Sequence, residues 1–472
     1  MTVRAVAETL VLWTDWGILL YFLGLNSCYA LLLLYSIPEI WEQTRLAEDD
    51  DFGALMRSDA LPPIAILVPA YNESRTIVES VTALLGLEYR NFEVIVINDG
   101  SKDDSFDVLR SAFDLYEVPP ATPRVIETKT VRGYYRSRTR PRLLVVDKEN
   151  GGKADALNVG INAARWPYVI AVDADTLIEP DAMLRMMRPF MLGQQVVAAG
   201  GTVRVANGCT VERGRVTEAR VPREFLPGFQ VVEYLRAFLF GRLGWNRLGG
   251  NLIISGAFGM FDRQQLLAIR GYHTDSVVED LDLVIRLQRH LRDRKVPHGM
   301  PFIPDPVAWT EVPSSTLVLR RQRERWHKGL IVAMWRYRDL LFNYRYRRMG
   351  LVAMPFFFFG EMLAPVVEVA GYVVTAVGVL WGLIDWPFAQ IFFLVAWGYG
   401  LLLSLWAVAL EEVSFRRYRR FGDLGRLLLY AALENFGYRQ WTVWWRLRAF
   451  WAVFRGRFAW GDMTRKGFAT QP

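Results

Sequence analysis

Residues 143 to 187 read LLVVDKENGGKADALNVGINAARWPYVIAVDADTLIEPDAMLRMM. LLVV (Leu143 to Val146) and VIAV (Val169 to Val172) are short, charge-free runs, the pattern of strands buried on both faces. Between them, Lys153 to Ala164 reads as a helix. A second helix is expected from Pro180 to Phe190, with Pro180 in the first turn, where a missing N–H is tolerated. Two similar apolar runs lie upstream, IAILV (Ile64 to Val68) and VIVI (Val94 to Ile97). Strands alternating with helices predict an α/β domain with a mostly parallel sheet, spanning residues 61–345.

Outward from this domain the composition changes. The chain has 472 residues, 52% hydrophobic yet still 22% charged. That mixture implies a soluble domain joined to membrane helices. Gly17 to Ser36 is uncharged and about 20 residues long, enough to cross a bilayer. No small-residue cleavage site follows it, which argues against a signal peptide. An acidic linker, Glu48 to Asp51, closes this N-terminal segment (1–60). Leu351 to Ile384 is apolar but interrupted by Pro355, Glu361, Pro365 and Glu368. We read it as an interfacial helix followed by a span from about Met362. After the Asp385-Trp386-Pro387 turn, Phe388 to Leu410 is the next expected span. This hairpin segment (346–423) is flanked by Arg345, Arg347, Arg348 and by Arg416, Arg417, Arg419, Arg420, so both ends are expected in the cytosol. The tail (424–472) mixes Trp441, Trp444, Trp445 and Phe450 with Arg439, Arg446 and Arg448. It reads as interfacial helices, or else as a helix packed on the soluble domain. Only two cysteines, Cys28 and Cys209, are present, so no disulfide framework is expected. No motif for nucleic acid accompanies the +7 charge, and none is expected as a partner.

The chemistry-bearing residues fall at strand ends. In an open α/β sheet, ligands bind beyond the carboxyl ends of strands. The first strand runs into Val-Pro-Ala-Tyr71-Asn72-Glu73-Ser74 and the second into Asn98-Asp99-Gly100-Ser101. Tyr71 could flank a flat base, and Asp99 could accept hydrogen bonds from it. VIAV ends in Asp173-Ala174-Asp175. Two carboxylates one residue apart call for solvent or a cation, and with no Cys/His set nearby Mg²⁺ or Mn²⁺ suits them. Gly151-Gly152-Lys153 at a helix start allows close approach to a phosphate and supplies charge. It lacks the Walker pattern, and no G-x-G-x-x-G follows the first strand, so neither a P-loop ATPase nor a Rossmann dehydrogenase fits. Glu279-Asp280-Leu281-Asp282 opens a helix, and Gln322-Arg323-Glu324-Arg325-Trp326 follows. Read in isolation, each of these two is an ordinary helix surface.

As an ordered set, VPAYNES, NDGS, NGGKADALN, DAD, ED and QRERW resemble the processive family-2 glycosyltransferases: the cellulose, chitin, hyaluronan and poly-N-acetylglucosamine synthases. The resemblance covers roughly Leu61 to Leu330. It implies a cytosolic GT-A type nucleotide-sugar-binding domain on the inner membrane, with transmembrane and interfacial helices. By the same resemblance Tyr71, Glu73, Asp99 and Lys153 hold the UDP-sugar, and Asp173 and Asp175 bind its diphosphate and metal. Asp280 is the implied catalytic base. Gln322, Arg325 and Trp326 secure the diphosphate and acceptor sugar, and Ser255-Gly256 lines the acceptor site. Trp460 and Arg465 resemble a gating segment, although two extra residues separate Gly461 from Thr464. The implied partners are the glycan acceptor, membrane lipid, and a small membrane subunit or second copy that completes a channel. Two alternatives stand beside this: addition of a single sugar to a lipid or short acceptor, and a catalytically dead nucleotide-binding scaffold. Neither the sugar nor its linkage is legible here.

Overall fold

The computed structural model describes residues 3–49, 60–193, 195–212, 214–383 and 386–456. The chain divides into two compact units. One comprises residues 38–222 and 248–312 and contains the sheet. Of the described residues, the other comprises 3–37, 223–247, 313–383 and 386–456 and is helical.

The first unit is built on a ten-stranded sheet. Its strands are β1 (Ile64–Ala70), β2 (Phe92–Asp99), β3 (Leu115–Val118), β4 (Val131–Ser137), β5 (Leu143–Lys148), β6 (Tyr168–Val172), β7 (Leu177–Ile178), β8 (Ala198–Val205), β11 (Phe258–Asp262) and β12 (Phe302–Thr310). The order is β3-β4-β5-β2-β1-β6-β11-β8-β12-β7. The four central strands, β5-β2-β1-β6, are parallel, as the apolar runs predict. Antiparallel ladders flank them on both sides. A separate hairpin pairs β9 (Thr210–Glu212) with β10 (Arg215–Glu218).

Alternation along the central strands supplies two cores. Ile64, Ile66 and Val68 of β1, with Val94 and Val96 of β2, pack with Ile77, Val81, Met183 and Met186 on one face. Ala65, Leu67, Ile95 and Ile97 face the other way, against Leu157, Ile161, Leu283 and Leu287. A sheet covered on both faces needs this run of Val, Ile and Leu without polar alternation.

Two polar insertions between the apolar runs contain strands. Glu127 to Arg142 holds β4, and Arg204 to Arg223 holds the β9–β10 hairpin. The division into compact units is discontinuous in sequence. Residues 223–247 join the helical unit because they pair with its side chains: Arg236 bonds Glu434, and the Tyr430 hydroxyl donates to the Arg223 carbonyl at 3.1 Å.

Among the described residues, one helix is long and apolar enough to cross a membrane, over Val11–Arg45. A second candidate is the pair Met349–Met362 and Ala364–Leu380, bent by 40° at its break. The segment expected as a third span is helical in three successive pieces, Trp386–Phe393, Leu394–Gly398 and Tyr399–Ser414. The acidic interruptions of the apolar stretch have partners in the tail. Arg439 grips Glu368 with Nε and Nη2 at 3.2 and 3.3 Å, and Arg446 reaches Glu361 Oε2 at 3.4 Å. The tail helix Tyr438–Phe454 packs within the helical unit. Trp460 and Arg465 lie outside the described residues.

Candidate functional site

The carboxyl ends of β1, β2, β5 and β6 share one rim of the sheet. β11 runs antiparallel to β6 with Phe258 opposite Val172, so the loop entering β11 returns to that same rim. This register brings Ser255 and Gly256 beside the residues that follow β6.

Lys153 ties the rim together. Its ammonium lies 2.5 Å from Asp173 Oδ1, 3.9 Å from Glu279 Oε1, and donates to the Gly256 carbonyl at 3.3 Å. Burial alone would lower its pKa, but Asp173, Glu279 and Asp280 outweigh that and raise it above the ordinary lysine value. Asp280 stands in the first turn of the Glu279–Asp293 helix. Its Oδ2 accepts the Gly256 N–H at 3.3 Å and its Oδ1 the Leu281 N–H at 2.8 Å. Three residues distant in sequence, at 153, 173 and 280, thus meet through one ammonium and one loop. Asp175 is half-buried, with its Oδ1 out of reach of solvent. Among the described residues no three acidic, histidine or cysteine side chains form a metal cage unaided. The donors present are carboxylate oxygens, the ligand type of hard divalent cations that keep waters and phosphates as their remaining ligands.

The two upstream loops are laced to each other. Asn72 has a positive φ of 57°, its N–H donates to Ser101 Oγ at 3.0 Å, and its side-chain oxygen accepts the Lys102 N–H at 2.8 Å. Glu73 and Ser74 donate their N–H groups to Ser105 Oγ and Asp103 Oδ2. Tyr71 is 41% exposed beside them, free to flank a planar group. Asp99 is different. It is 3% exposed, and its carboxylate already accepts the Gly151 N–H at 3.0 Å, the Gly152 N–H at 2.8 Å and the Lys148 ammonium.

Gln322, Arg325 and Trp326 lie on the Thr316–Arg336 helix of the helical unit. All three are half-buried. One face of the Trp326 indole carries the Arg323 guanidinium, 4.6 Å from the ring centroid. Arg323 itself is buried and donates to Glu233 Oε2 at 2.8 Å, an oxygen that also accepts the Tyr438 hydroxyl at 2.7 Å. Sequence reading passed over Arg323, Glu233 and Tyr438, because nothing local links positions some 90 and 205 residues apart. It also passed over Lys148, whose signal was a lysine that follows Asp147 at the end of the apolar run LLVV.

A GT-A type α/β domain with carboxylates and an ammonium gathered at its ligand-binding rim defines a glycosyltransferase class. The profile named Glycosyl transferase family 2 matches residues 65–266, and that named Glycosyl transferase family group 2 matches residues 168–459, more than half of the chain. The protein belongs to glycosyl transferase family group 2. It is 28% identical over 272 residues to the poly-β-1,6-N-acetyl-D-glucosamine synthase of Staphylococcus aureus (strain COL), across 57% of this chain and 55% of the relative. With the synthase of the same name from Staphylococcus epidermidis it shares 29% over 267 residues, 56% of this chain and 54% of the relative. The chain thus spans about half the length of the curated relatives it matches. Among solved structures it is similar to the mannosyltransferase PcManGT from Pyrobaculum calidifontis in complex with GDP-Man and Mn²⁺, at TM-score 0.49 and 18% identity, covering 89% of this chain and 99% of that one.

Proposed function

We propose that this chain transfers a sugar, with inversion, from a UDP-sugar to the end of a growing β-linked glycan, adding units processively at the cytosolic face of the inner membrane. The observation that supports it is the meeting of Lys153, Asp173, Gly256 and Asp280 at the ligand-binding rim of a family-2 fold.

Asp173 and Asp175 are the residues that would hold Mg²⁺ or Mn²⁺. A cation held there would offset charge on the departing diphosphate. Lys153 adds a fixed positive charge at the same rim, preorganised by the groups around it. Asp280, oriented by the Gly256 and Leu281 N–H groups, takes the proton of the acceptor hydroxyl. That oxygen attacks the anomeric carbon from the face opposite the diphosphate. The C1–O bond breaks, its electron pair leaves with UDP, and an α-linked donor gives a β-linked product. Gln322, Arg325 and Trp326 keep the roles that the family resemblance implies for diphosphate and acceptor. The multi-pass arrangement, with a small membrane subunit or second copy completing an export path, belongs to the same proposal.

The curated relatives are poly-β-1,6-N-acetyl-D-glucosamine synthases, which is why N-acetylglucosamine heads the sugars to test. Purified protein is incubated with a panel of UDP-sugars and Mg²⁺ or Mn²⁺, and UDP release and product mass are read together. Long products with UDP release are expected. No UDP release from any donor would overturn the transfer reading, and products one sugar longer than the acceptor would overturn processivity.

A further inference from the structure

Asn158 lies on the Lys153–Ala163 helix and is 1% exposed. An amide side chain carries donor and acceptor together, so it can hold both polar groups of one residue's backbone. Asn158 does this to Tyr272. Its Nδ2 donates to the Tyr272 carbonyl at 2.9 Å, and its Oδ1 accepts the Tyr272 N–H at 2.7 Å. The approach is close: Gly271 has a φ of +67°, and a Cβ there would sit 2.2 Å from Asn158 Oδ1. A second side chain holds the same stretch. Arg286 donates to the Ile269 carbonyl at 2.9 Å through Nη1, to the Gly271 carbonyl through Nη2, and to the buried Asp282 Oδ2 at 2.9 Å through Nε. Arg286 and Asp282 belong to the Glu279–Asp293 helix, whose first turn carries Asp280. Residues 269 to 272 are therefore a buckle between two helices. One helix begins with Lys153, which reaches Asp173, and the other begins with the implied base. Leu157 and Ile161 of the first share an apolar core with Leu283 and Leu287 of the second, and Tyr272 is buried in that core. Burial raises the Tyr272 phenol pKa, and Glu279, Asp280 and Asp173 raise it further, so its ring stands close to the rim carboxylates.

Apolar burial is non-directional. Hydrogen bonds are not: they weaken steeply as distance and angle depart from the ideal, so a buried, satisfied set holds one arrangement of the elements it joins. We propose that Asn158 and Arg286 are positioning residues that set Asp280 relative to Lys153, and so the acceptor hydroxyl relative to the donor. Each acts through the Ile269–Tyr272 segment, without contact to substrate. The inference rests on the transfer reading for its substrate, a nucleoside diphosphate sugar, and for the role of Asp280.

The test uses Asn158→Ala and Arg286→Lys, the second keeping a charge beside Asp282 but losing the planar fork that spans two carbonyls and a carboxylate. Each is measured alone and combined with Asp280→Asn. Val81→Ala, a truncation on the other face of the sheet in the helix Ile77–Leu85, is the control for lost stability. The readouts are kcat by UDP release, UDP affinity by calorimetry, and amide hydrogen exchange across residues 269–282. A group misplaced by about 1 Å can cost about 10²-fold, so kcat should fall at least tenfold in each single variant, with UDP affinity held within about threefold. In the Asp280→Asn background no base is left to misplace, and the same substitutions should lower kcat by less than a further twofold or so. Val81→Ala should lower Tm and leave kcat within about twofold of the wild type. Equal fold losses with and without the Asp280 carboxylate overturn the inference, because a general structural fault acts on both backgrounds alike. Exchange across 269–282 should quicken in Asn158→Ala and not in Val81→Ala, and exchange unchanged by Asn158→Ala also overturns it. If Asn158→Ala does not fold, Arg286→Lys decides by the same cycle. A full rate in Asp280→Asn alone removes the base, and the inference with it. If the wild type releases no UDP from any donor, the transfer reading fails, while the exchange comparison still judges the bridge between the helices.

Discussion

Replacing Asp280 by asparagine keeps the size of the side chain and one of its two acceptor oxygens, for the Gly256 or the Leu281 N–H, and removes the proton-accepting charge. General-base catalysis is worth about 10²–10⁴-fold, so turnover by Asp280→Asn should fall at least ~10²-fold with UDP affinity unchanged. Rapid-quench turnover beside UDP calorimetry checks this, and a full rate would remove Asp280 from the base role. Gly151→Ala makes a different demand. Its Cβ would collide with Asp155, and the strain should lower stability by about 1–3 kcal/mol, read as a fall in Tm. Much of this site was legible in the sequence. Asp173 follows an apolar strand and Asp280 opens a helix, and both positions carry local signals. The surroundings of Asp99 were not legible. A strand-end aspartate reads the same whether it faces a ligand or a buried lysine, and Lys148 stands 49 residues away.

At the level of elements, the four parallel strands were readable because each is a continuous apolar run buried on both faces. β4 was not. Val131–Ser137 reads VRGYYRS, is only partly buried, and belongs to an antiparallel flank where arginines point to water. Helix Thr316–Arg336 illustrates the same limit. Gln-x-x-Arg-Trp could be recognised, yet the residue that anchors the helix is Arg323, held by Glu233 and Tyr438. Arg323→Met leaves Glu233 without its buried cation and should cost up to about 3 kcal/mol of stability. Adding Glu233→Gln should recover part of that loss. Thermal melts in detergent read both variants, and equal Tm for single and double variants would show that the charge is not what matters.

Across the whole molecule, the two compact units are discontinuous in sequence. A segment such as 223–247 carries no compositional mark of the unit it joins. Its allegiance is set by Arg236 meeting Glu434 and Ser404, contacts 198 and 168 residues apart. The carboxylates that interrupt the apolar stretch are explained at the same scale. Glu361 and Glu368 would be expensive in a lipid-facing helix, but each is paired with a tail arginine. Apolar segments whose charges are neutralised internally can remain in the bilayer. The helix within Val11–Arg45 is long enough to cross about 30 Å of hydrocarbon. Membranes carrying the full chain, washed with alkaline carbonate, should therefore retain it in the pellet, and only detergent should release it. Release by carbonate alone would mean that these helices lie on the surface, held by charge and a shallow apolar face. Substituting Leu20 and Leu23 by arginine then separates the two cases further. Both side chains are exposed in the structure, so the change should abolish retention of a spanning helix by placing charge in hydrocarbon, while strengthening attachment to an anionic surface.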